Sequence, residues 1–314
     1  MDIIFMGSPD FAVPSLEKLV NNEKINIKTV ISQPDRRRGR GQKLHPTPVK
    51  ARAQDLNKNV HTTSNVNEDS FINLIKNLDP EVIVVVAFGQ ILKKPILQIP
   101  DKGCINLHAS LLPEYRGASP IHQAVINGDN KTGVTTMFMD EGLDTGDIIY
   151  QKEIPIEKTD TVGIVHDKLA KKGGNLLLKT LLDLKNNNVP QIPQDREKGS
   201  YTTKIDKKMG KINWHKSADK IYNLVRGVNP YPGAYTYLYN KLLKIWWVDI
   251  IDNNKIISKP GTVVSANQKE GLIVQSGSGL LRITKLQPAG SSKMKDKEYL
   301  RGHEIKKNTI LGRK

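Results

Sequence analysis

Two polar side chains interrupt an otherwise apolar run of the sequence, CINLHAS at residues 104–110. The run predicts a buried β-strand, in which side chains two positions apart point to the same face, about 7 Å from each other. Asn106 and His108 therefore share a face. An amide can donate to an oxygen that becomes negatively charged, and an imidazole can hold or move a proton near neutral pH. A lone histidine near a strand is often structural, but this pairing favours chemistry.

An acidic, glycine-rich segment, DEGLDTGD at residues 140–147, is the second candidate. It follows the strand pattern GVTTMFM, whose carboxyl end we expect at the sheet edge where Asn106 and His108 lie and where open α/β sheets bind ligands. Asp144 is then placed to set the tautomer of His108 and to hold its charged form. No serine or cysteine nucleophile has a base beside it, since Cys104 lies deeper in the strand. This favours direct transfer to an external nucleophile over a covalent enzyme intermediate.

The elements that must position these residues alternate between strand and helix patterns. The strand patterns DIIFMG, IKTVIS, EVIVVVA and CINLHAS are separated by amphipathic helix patterns such as PSLEKLV and SFINLIKNL. A longer helix is predicted at about 161–185. We therefore predict a doubly wound, Rossmann-like α/β sheet domain over residues 1–188.

The remainder of the chain has a different pattern. Residues 189–208 are polar and rich in Pro, Lys and Gly, and we interpret them as a linker. Residues 209–314 begin with a short helix and continue as short strand patterns at even spacing, one of them Lys255–Ser258. Such spacing predicts a small β-barrel domain.

Positive charge is concentrated in two places. The formal net charge is +16, and residues 201–314 hold 22 basic and 8 acidic side chains, against 26 and 24 in residues 1–200. Residues 33–52 add a local cluster of seven basic side chains and one acidic side chain. A basic module joined to a near-neutral one indicates a polyanionic partner, with a merely solubilising surface as the alternative. Residues 33–44 contain almost no apolar side chain, so we expect a mobile loop there.

Several cofactors and locations are not expected. The segment MGSPDF after the first strand has one glycine, whereas a dinucleotide fingerprint needs three, so neither nicotinamide nor flavin is expected. The histidines have no metal-ligand spacing and residues 140–147 lack the ligand pattern of a calcium loop, so we expect no metal. One cysteine, no signal peptide pattern and no membrane-span pattern predict a cytoplasmic protein without a membrane partner.

The segments INLHASLLPEYRGASP and DEGLDTGDII together resemble the folate-dependent formyltransferases. The rest of the chain resembles the members of this family that formylate methionyl-tRNA. Matching segments are GSPDF near the start, QPDRRRGRGQKLHPTPVK at 33–50, FGQIL at 88–92 and the basic C-terminal domain. The resemblance implies an OB-like barrel that binds tRNA at residues 209–314, 10-formyltetrahydrofolate as cosubstrate and initiator methionyl-tRNA as partner. We expect a monomer.

The resemblance also implies roles for individual residues. Asn106 and protonated His108 would stabilise negative charge on the formyl oxygen, while Asp144 would hold His108 charged and assist proton movement. The implied folate contacts are Ser110, Leu111, Leu112, Pro113, Phe88, Gly89 and Gln90. The implied tRNA contacts are Arg36, Arg37, Arg38, Arg40 and Lys43, and Arg40, between two glycines, is the strongest single candidate.

Two alternative functions differ in the acceptor or in the class of protein. Formyltransferases that act on amino-sugar nucleotides share the core and can carry a C-terminal barrel, but should not need the arginine loop. A further acceptor class, the glycinamide ribonucleotide transformylases, is not kept as an alternative, because these enzymes resemble only the first ~200 residues of this chain. A non-catalytic RNA-binding protein with a degenerate sheet domain is the other alternative, and the intact Asn106, His108 and Asp144 set favours the enzyme.

Overall fold

The computed structural model of the protein describes residues 1–38, 41–195 and 197–312. The chain divides into two compact units, and each unit is assembled from separate segments of the chain. Unit 1 contains Met1–Pro120, Thr132–Ile154 and His166–Thr202. Unit 2 contains Ile121–Lys131, Pro155–Val165 and the chain from Thr203 onward.

The first part of the chain forms a seven-stranded sheet and two short two-stranded pairs. The strands are β1 (Asp2–Gly7), β2 (Asn26–Ser32), β3 (Arg36–Arg38), β4 (Lys43–His45), β5 (Val60–Thr62), β6 (Val82–Val86), β7 (Cys104–His108), β8 (Arg116–Gly117), β9 (Lys131–Phe138), β10 (Ile148–Pro155) and β11 (Tyr201–Thr202). The helices are α1 (Val13–Val20), α2 (Pro48–Asp55), α3 (Asp69–Leu78), α4 (Lys94–Leu97), α5 (Pro120–Asn127) and α6 (Val162–Lys185).

The large sheet has the strand order β10-β9-β7-β6-β1-β2-β5. Strands β5, β2, β1, β6 and β7 run parallel to one another. The predicted α/β sheet is therefore confirmed as a mostly parallel central sheet. All five residues of β6 are buried, as expected for a strand with a neighbour on each side and both faces covered.

Gly7 ends β1 for a packing reason. A Cβ at this position would lie 2.9 Å from a ring carbon of Phe5 and 3.0 Å from the carbonyl oxygen of Val86. Only a glycine allows the chain to leave β1 this close to β6.

The sequence analysis is wrong in expecting β9 to end at the same sheet edge as β7. Strand β9 is antiparallel to β7, with Ile105 opposite Phe138 and His108 opposite Thr135. The carboxyl end of β9 therefore lies beside the start of β7, not beside His108. Residues 139–147 reach the site because the chain turns back after β9, not because the two strands end at one edge.

The arginine segment forms a hairpin, which the sequence analysis did not predict. Strand β3 pairs with β4 in antiparallel register, with Arg36 opposite His45 and Arg37 opposite Leu44. Backbone hydrogen bonds pair the two strands, and the side chains of Arg36, Arg37 and the three residues of β4 are exposed and supply no core. Gly39 and Arg40, including the arginine favoured above, lie outside the described residues.

Unit 2 contains the second sheet, which is antiparallel. Its strands are β12 (Ala234–Leu238), β13 (Lys241–Asp252), β14 (Val263–Asn267), β15 (Gly271–Gln275), β16 (Leu280–Pro288) and β17 (Met294–Lys295), and its helices include α7 (Ala218–Gly227) and α8 (Asp296–Gly302). The strand order is β12-β13-β16-β15-β14, with β17 on β16. The described pairings form an open path, so the predicted closed barrel is not confirmed.

The predicted strand at Lys255–Ser258 is wrong. The amide side chain of Gln275, which is fully buried, accepts from the backbone N–H of Ile257 at 3.0 Å and donates to the carbonyl oxygen of Lys255 at 3.0 Å. These backbone groups are therefore satisfied by a side chain instead of a neighbouring strand.

An ion pair in unit 1 links the turn after β1 to α6. His166 Nε2 lies 3.5 Å from the carboxylate of Asp10, and the His166 ring packs edge-on against Phe11. The hydrogen bond to Asp10 raises the pKa of His166, and the same bond lowers the pKa of Asp10. The stabilisation is present below the ordinary histidine pKa of 6.5 and is lost as pH rises through the raised value. At the acid end it is lost as pH falls through the lowered pKa of Asp10.

Asp10→Asn is therefore expected to destabilise the protein at pH 6 and not at pH 9. Asp10 is largely exposed, so solvent screening limits the effect to about 0.5 kcal/mol, on the order of 1 °C in Tm. Thermal melts of the wild type and the variant at both pH values measure it. Asp101→Asn, another exposed aspartate, is the control, and an equal Tm loss at pH 6 and pH 9 would contradict the pairing.

Candidate active site

The structure brings Asn106, His108 and Asp144 together. Asn106 is the third residue of β7 and His108 is the last, and both side chains are more than nine-tenths buried. Asn106 Nδ2 donates to Asp144 Oδ1 at 3.4 Å, and His108 Nδ1 lies 3.6 Å from Asp144 Oδ2. The alternation of side chains along β7 thus places an amide and an imidazole against one carboxylate.

The second ring nitrogen of His108 determines its tautomer. Nε2 lies 3.0 Å from the carbonyl oxygen of Tyr115, an atom that can only accept a hydrogen bond. Nε2 therefore carries a hydrogen in both the neutral and the charged ring. The proton that His108 gains or loses is the one on Nδ1, the nitrogen that faces Asp144.

Asp144 is held in an unusual backbone conformation. Its φ is +56°, in the left-handed region that non-glycine residues seldom adopt. Its Oδ2 accepts from the backbone N–H of Gly117 at 2.8 Å. Its own carbonyl oxygen accepts from Nε2 of Gln194 at 2.9 Å. The carboxylate is therefore aimed by contacts on both its side chain and its main chain.

Gly117 and Gln194 are site residues that the sequence analysis missed. Gln194 lies in the segment interpreted as a linker, yet it is buried and contacts the loop of Asp144. Ile148 and Ile192 exchange backbone hydrogen bonds, and β11 pairs with β8. In the sequence, Gln194 lies between Pro193 and Asp195 and carries no signal that predicts this contact.

The residues implied as folate contacts lie next to this group in the sheet. Ser110, Leu111, Leu112 and Pro113 follow β7 directly, while Phe88, Gly89 and Gln90 follow β6, its parallel neighbour. Their exposure differs: the side chains of Phe88 and Leu112 are buried, whereas Gly89 is exposed and Leu111 is partly exposed.

Several of these side chains are occupied within the protein, including Ser110, which is fully buried and donates to the carbonyl oxygen of Glu114 at 2.5 Å. The amide of Gln90 accepts from the backbone N–H of Val66 and donates to the carbonyl oxygen of Thr63, each at 2.8 Å. Leu112 packs against Met137 and Ile148 in a small buried cluster. Gln90 and Leu112 are therefore placed to support the walls of a pocket, whereas Gly89 and Leu111 are accessible.

The arginine hairpin rises from the same sheet edge, after the carboxyl end of β2. Gln33, at the base of the hairpin, donates from Nε2 to the carbonyl oxygens of Phe88 at 3.0 Å and Gly89 at 3.2 Å. Its Oε1 accepts from the guanidinium of Arg36. One amide thus connects the hairpin to the segment after β6.

Three described cationic side chains of the hairpin face solvent. Arg36, Arg37 and Lys43 are exposed, and Arg37 donates to the carbonyl oxygen of Gln42 at 3.3 Å. Arg38 contributes its backbone to β3. The hairpin therefore presents positive charge beside the Asn106 edge of the sheet.

Unit 2 carries a separate basic and aromatic surface. The ammonium group of Lys293 lies 3.3 Å from the ring centroid of Trp246, and that of Lys244 lies 5.5 Å from it. Desolvation, then the nearby charges of Lys285 and Lys244, lower the pKa of Lys293. Like charges gathered in this way favour an anionic ligand.

Two other kinds of chemistry find no support in the described part of the chain. No group of three or more His, Cys, Asp or Glu side chains there could hold a metal ion. Burial raises the pKa of the Cys104 thiol to about 12, so it stays protonated and unreactive near neutral pH.

Among the described residues, no helix combines the length and apolarity needed to cross a bilayer.

The family is decided by two domain matches along the chain. Residues 1–181 match the formyl transferase family, and residues 204–304 match the formyl transferase C-terminal domain. The chain belongs to the formyl transferase family. The resemblance predicted from the motifs around His108 and Asp144 is therefore confirmed.

Similar proteins narrow the relationship within the formyl transferase family. A methionyl-tRNA formyltransferase of Halothermothrix orenii is 55% identical over 317 residues, covering 99% of this chain and 100% of that protein. A methionyl-tRNA formyltransferase of Desulforamulus reducens is 46% identical over 312 residues, covering 99% of this chain and 98% of that protein.

A solved structure shows the shared fold. The sugar 3N-formyl transferase WlaRD, crystallised in the presence of dTDP and 5-N-formyl-tetrahydrofolate, has a TM-score of 0.65 and 22% identity. The match covers 93% of this chain and 99% of that chain. At this identity the likeness concerns the fold and not the acceptor.

Proposed function

We propose that this protein transfers the formyl group of 10-formyltetrahydrofolate to the α-amine of methionine on initiator methionyl-tRNA, which yields formylmethionyl-tRNA for translation initiation. The observation that carries the proposal is the 55% identity to a methionyl-tRNA formyltransferase over the full length of both chains. The grouping of Asn106, His108 and Asp144 at one sheet edge supports formyl transfer as the reaction. Such a role would place the protein in the cytoplasm, and we propose that it acts as a monomer.

The three polar residues suit a reaction at a formyl carbon. The amide of Asn106 has two N–H groups, and its contact with Asp144 uses one of them at a long 3.4 Å. The other can donate to the formyl oxygen as negative charge develops there. Protonated His108 adds a positive charge at the same place, and Asp144 stabilises that charge from 3.6 Å.

Proton movement runs through the same group. The methionine amine must lose a proton when it attacks, and the departing folate nitrogen must gain one. Protonated His108 can give its Nδ1 proton to the departing folate nitrogen and then take one from the attacking amine, directly or through water, and the carboxylate of Asp144 can hold the amine proton between these steps.

The segments after β6 and β7 fit a folate. The cosubstrate supplies the formyl group. Ser110 to Pro113 and Phe88 to Gly89 would line its pterin ring, an apolar and hydrogen-bonding group, with Leu111 and backbone groups accessible beside His108. Gln90 would act by fixing the backbone there, because its amide is bonded to Val66 and Thr63.

Recognition of tRNA is proposed for two regions. Arg36, Arg37, Arg38, Arg40 and Lys43 would contact the end of the acceptor stem, because guanidinium groups pair with phosphates bidentately and stack on exposed bases. Residues 209–314 would act as an OB-like tRNA-binding domain, joined through residues 189–208 to a catalytic domain at 1–188. Its lysines would supply less selective contacts to the tRNA backbone.

An acceptor comparison tests the proposal. The wild type is assayed for formyl transfer to methionyl-tRNA, glycinamide ribonucleotide and an amino-sugar nucleotide. We expect transfer to methionyl-tRNA to exceed the other two by at least about 10²-fold in kcat/KM. Preference for the amino-sugar nucleotide would assign the chain to the acceptor class of WlaRD instead. Lack of any thermal shift with tetrahydrofolate, together with RNA binding, would favour a non-catalytic protein.

Neutralising the hairpin is expected to impair tRNA use without affecting folate. The Arg36–Arg38 triple-alanine variant and Arg40→Ala should each lower kcat/KM for methionyl-tRNA about 10-fold or more, because each lost base or phosphate contact costs about 1–3 kcal/mol. The tetrahydrofolate Kd should stay within about two-fold. Lys255→Ala, in unit 2, is the comparator and should mainly reduce the salt dependence. If both hairpin variants had the wild-type kcat/KM for methionyl-tRNA and the wild-type Kd for tetrahydrofolate, tRNA recognition would have to be assigned to unit 2 alone.

A further inference from the structure

The largest fully buried side chain in the described part of the chain is a cation that the proposed reaction does not use. Arg116 lies on β8, and its side chain is 1% exposed. Its Nε and Nη2 atoms both donate to Oε1 of Gln194, at 3.1 and 2.8 Å, and the guanidinium makes longer hydrogen bonds to the carbonyl oxygens of Asp195 and Lys198, at 3.4 and 3.5 Å. A guanidinium buried in this way specifies the position of the group that it holds.

Gln194 transmits this constraint to the loop of Asp144. Its Nε2 donates to the carbonyl oxygens of Asp144 at 2.9 Å and of Gly146 at 2.7 Å. Both N–H groups and both lone pairs of the amide are therefore used. The orientation of the amide is unambiguous, since Arg116 can only donate and the two carbonyl oxygens can only accept.

The loop needs an external support at this point. Its own hydrogen bonds are local, with Asp140 accepting from Gly142 N–H at 3.0 Å and from Thr145 Oγ1 at 2.8 Å. Asp144 itself has a positive φ, flanked two residues away on each side by a glycine. Its geometry thus depends on contacts from outside the loop, as expected for strained residues at functional sites.

Arg116 and its neighbour hold Asp144 from two directions. The backbone N–H of Gly117 donates to Oδ2 of Asp144 at 2.8 Å, which fixes the carboxylate. The side chain of Arg116, through Gln194, fixes the main chain of the same residue. A single short strand therefore sets both where Asp144 lies and where its carboxylate points.

We infer that Gln194, held by Arg116, is a positioning residue that keeps the Asp144 carboxylate in register with His108 and Asn106, and this inference rests on the proposed function. A displacement of about 1 Å in a catalytic group can lower the rate about 10²-fold. Within the group of Asn106, His108 and Asp144, the described hydrogen bonds join Gln194 to Asp144 only.

The substitution Gln194→Glu keeps the hydrogen bonds that residue 194 accepts from Arg116 and removes those that it donates to the loop of Asp144. The carboxylate keeps the length of the side chain and can still accept from Arg116, beside which it ionises. It cannot donate to the carbonyl oxygens of Asp144 and Gly146, which it repels. We expect kcat for methionyl-tRNA formylation to fall about 10- to 100-fold at saturating folate, with KM for methionyl-tRNA within about two-fold and a cooperative thermal transition retained.

The Gly117 amide proton supplies a readout that needs no activity. In the wild type it donates to the Asp144 carboxylate at 2.8 Å, which moves its NMR resonance downfield. We expect an upfield shift of this resonance in Gln194→Glu. Gln191→Glu, the same substitution at an exposed position of the same segment, should leave both the resonance and kcat unchanged.

The outcomes are distinguishable. Wild-type kcat and an unshifted Gly117 resonance in Gln194→Glu would overturn the inference and leave the proposed function intact. A wild type inactive on methionyl-tRNA would refute the proposed function, while the Gly117 resonance still tests the positioning. If Gln194→Glu does not fold, Gln194→Asn, one methylene shorter, replaces it. Wild-type kcat in a folded Gln194→Asn would overturn the inference, and a fall in kcat with unchanged KM would support it.

Discussion

Replacing His108 or Asn106 by alanine is expected to lower the rate of formyl transfer by about 10²–10³-fold, with less change in KM. Asn106→Ala removes a neutral donor to the formyl oxygen, and His108→Ala removes a nearby positive charge and a proton carrier, losses that usually have this size. Both side chains face Asp144 from one face of β7. Single-turnover measurements with saturating methionyl-tRNA and 10-formyltetrahydrofolate isolate the chemical step.

Folding must be checked in both variants, because Asn106 lies in the middle of β7, between Val85 and Met137 on the neighbouring strands. His108→Ala also leaves the carbonyl oxygen of Tyr115 without this donor, which costs about 1–3 kcal/mol of stability. His61→Ala, on the edge strand β5, is the control for loss of an imidazole. A folded variant with near-wild-type turnover would show that the role assigned to that side chain is wrong.

Asp144→Asn is expected to lower the rate by a similar factor while leaving folate affinity nearly unchanged. The amide keeps the size of the side chain but removes the charge that stabilises protonated His108 at 3.6 Å. It also places an N–H group where the carboxylate now accepts from Gly117 and Asn106, so one of these hydrogen bonds is lost. Single-turnover rates and equilibrium binding of tetrahydrofolate measure the two quantities.

A double mutant tests whether the two residues act together. Groups that work as a unit have non-additive effects, so His108→Ala combined with Asp144→Asn should be little slower than either single variant. Asp147→Asn removes the same charge three residues further along and should retain nearly full activity. Fully additive losses in the double mutant would exclude a functional pairing of His108 with Asp144.

The local parts of this site were predictable from the sequence. Strand alternation determines that Asn106 and His108 share a face. The apolar patterns predicted β6 within one residue at each end and the start of β7 correctly, although β7 ends two residues earlier than predicted. The arginine and glycine run at 33–44 was correctly singled out as a segment without a core, although it forms the hairpin of β3 and β4. Backbone pairing in so polar a segment leaves no pattern of apolar side chains to detect.

The contacts that hold Asp144 were not predictable in the same way. Its partners are 38 residues away at Asn106 and, through Gln194, 50 residues away in a segment whose composition is that of a linker. Polar composition reports that a segment has no core of its own, but it does not exclude one buried amide. The direction of β9 was equally hidden, because a strand pattern is the same whichever way the strand runs.

The sequence by itself determined the chemistry available: an amide and an imidazole on one strand face, an acidic turn, exposed arginines and a basic C-terminal third. These depend on residue type and on periods of two or of three to four residues, which the local backbone imposes. The tertiary structure alone decided that the turn after an antiparallel β9 folds back to His108, and that Arg116 and Gln194 support it. Such contacts depend on how strands distant in sequence are ordered and oriented. The periodic spacing of side chains along one strand or helix contains no information about that order.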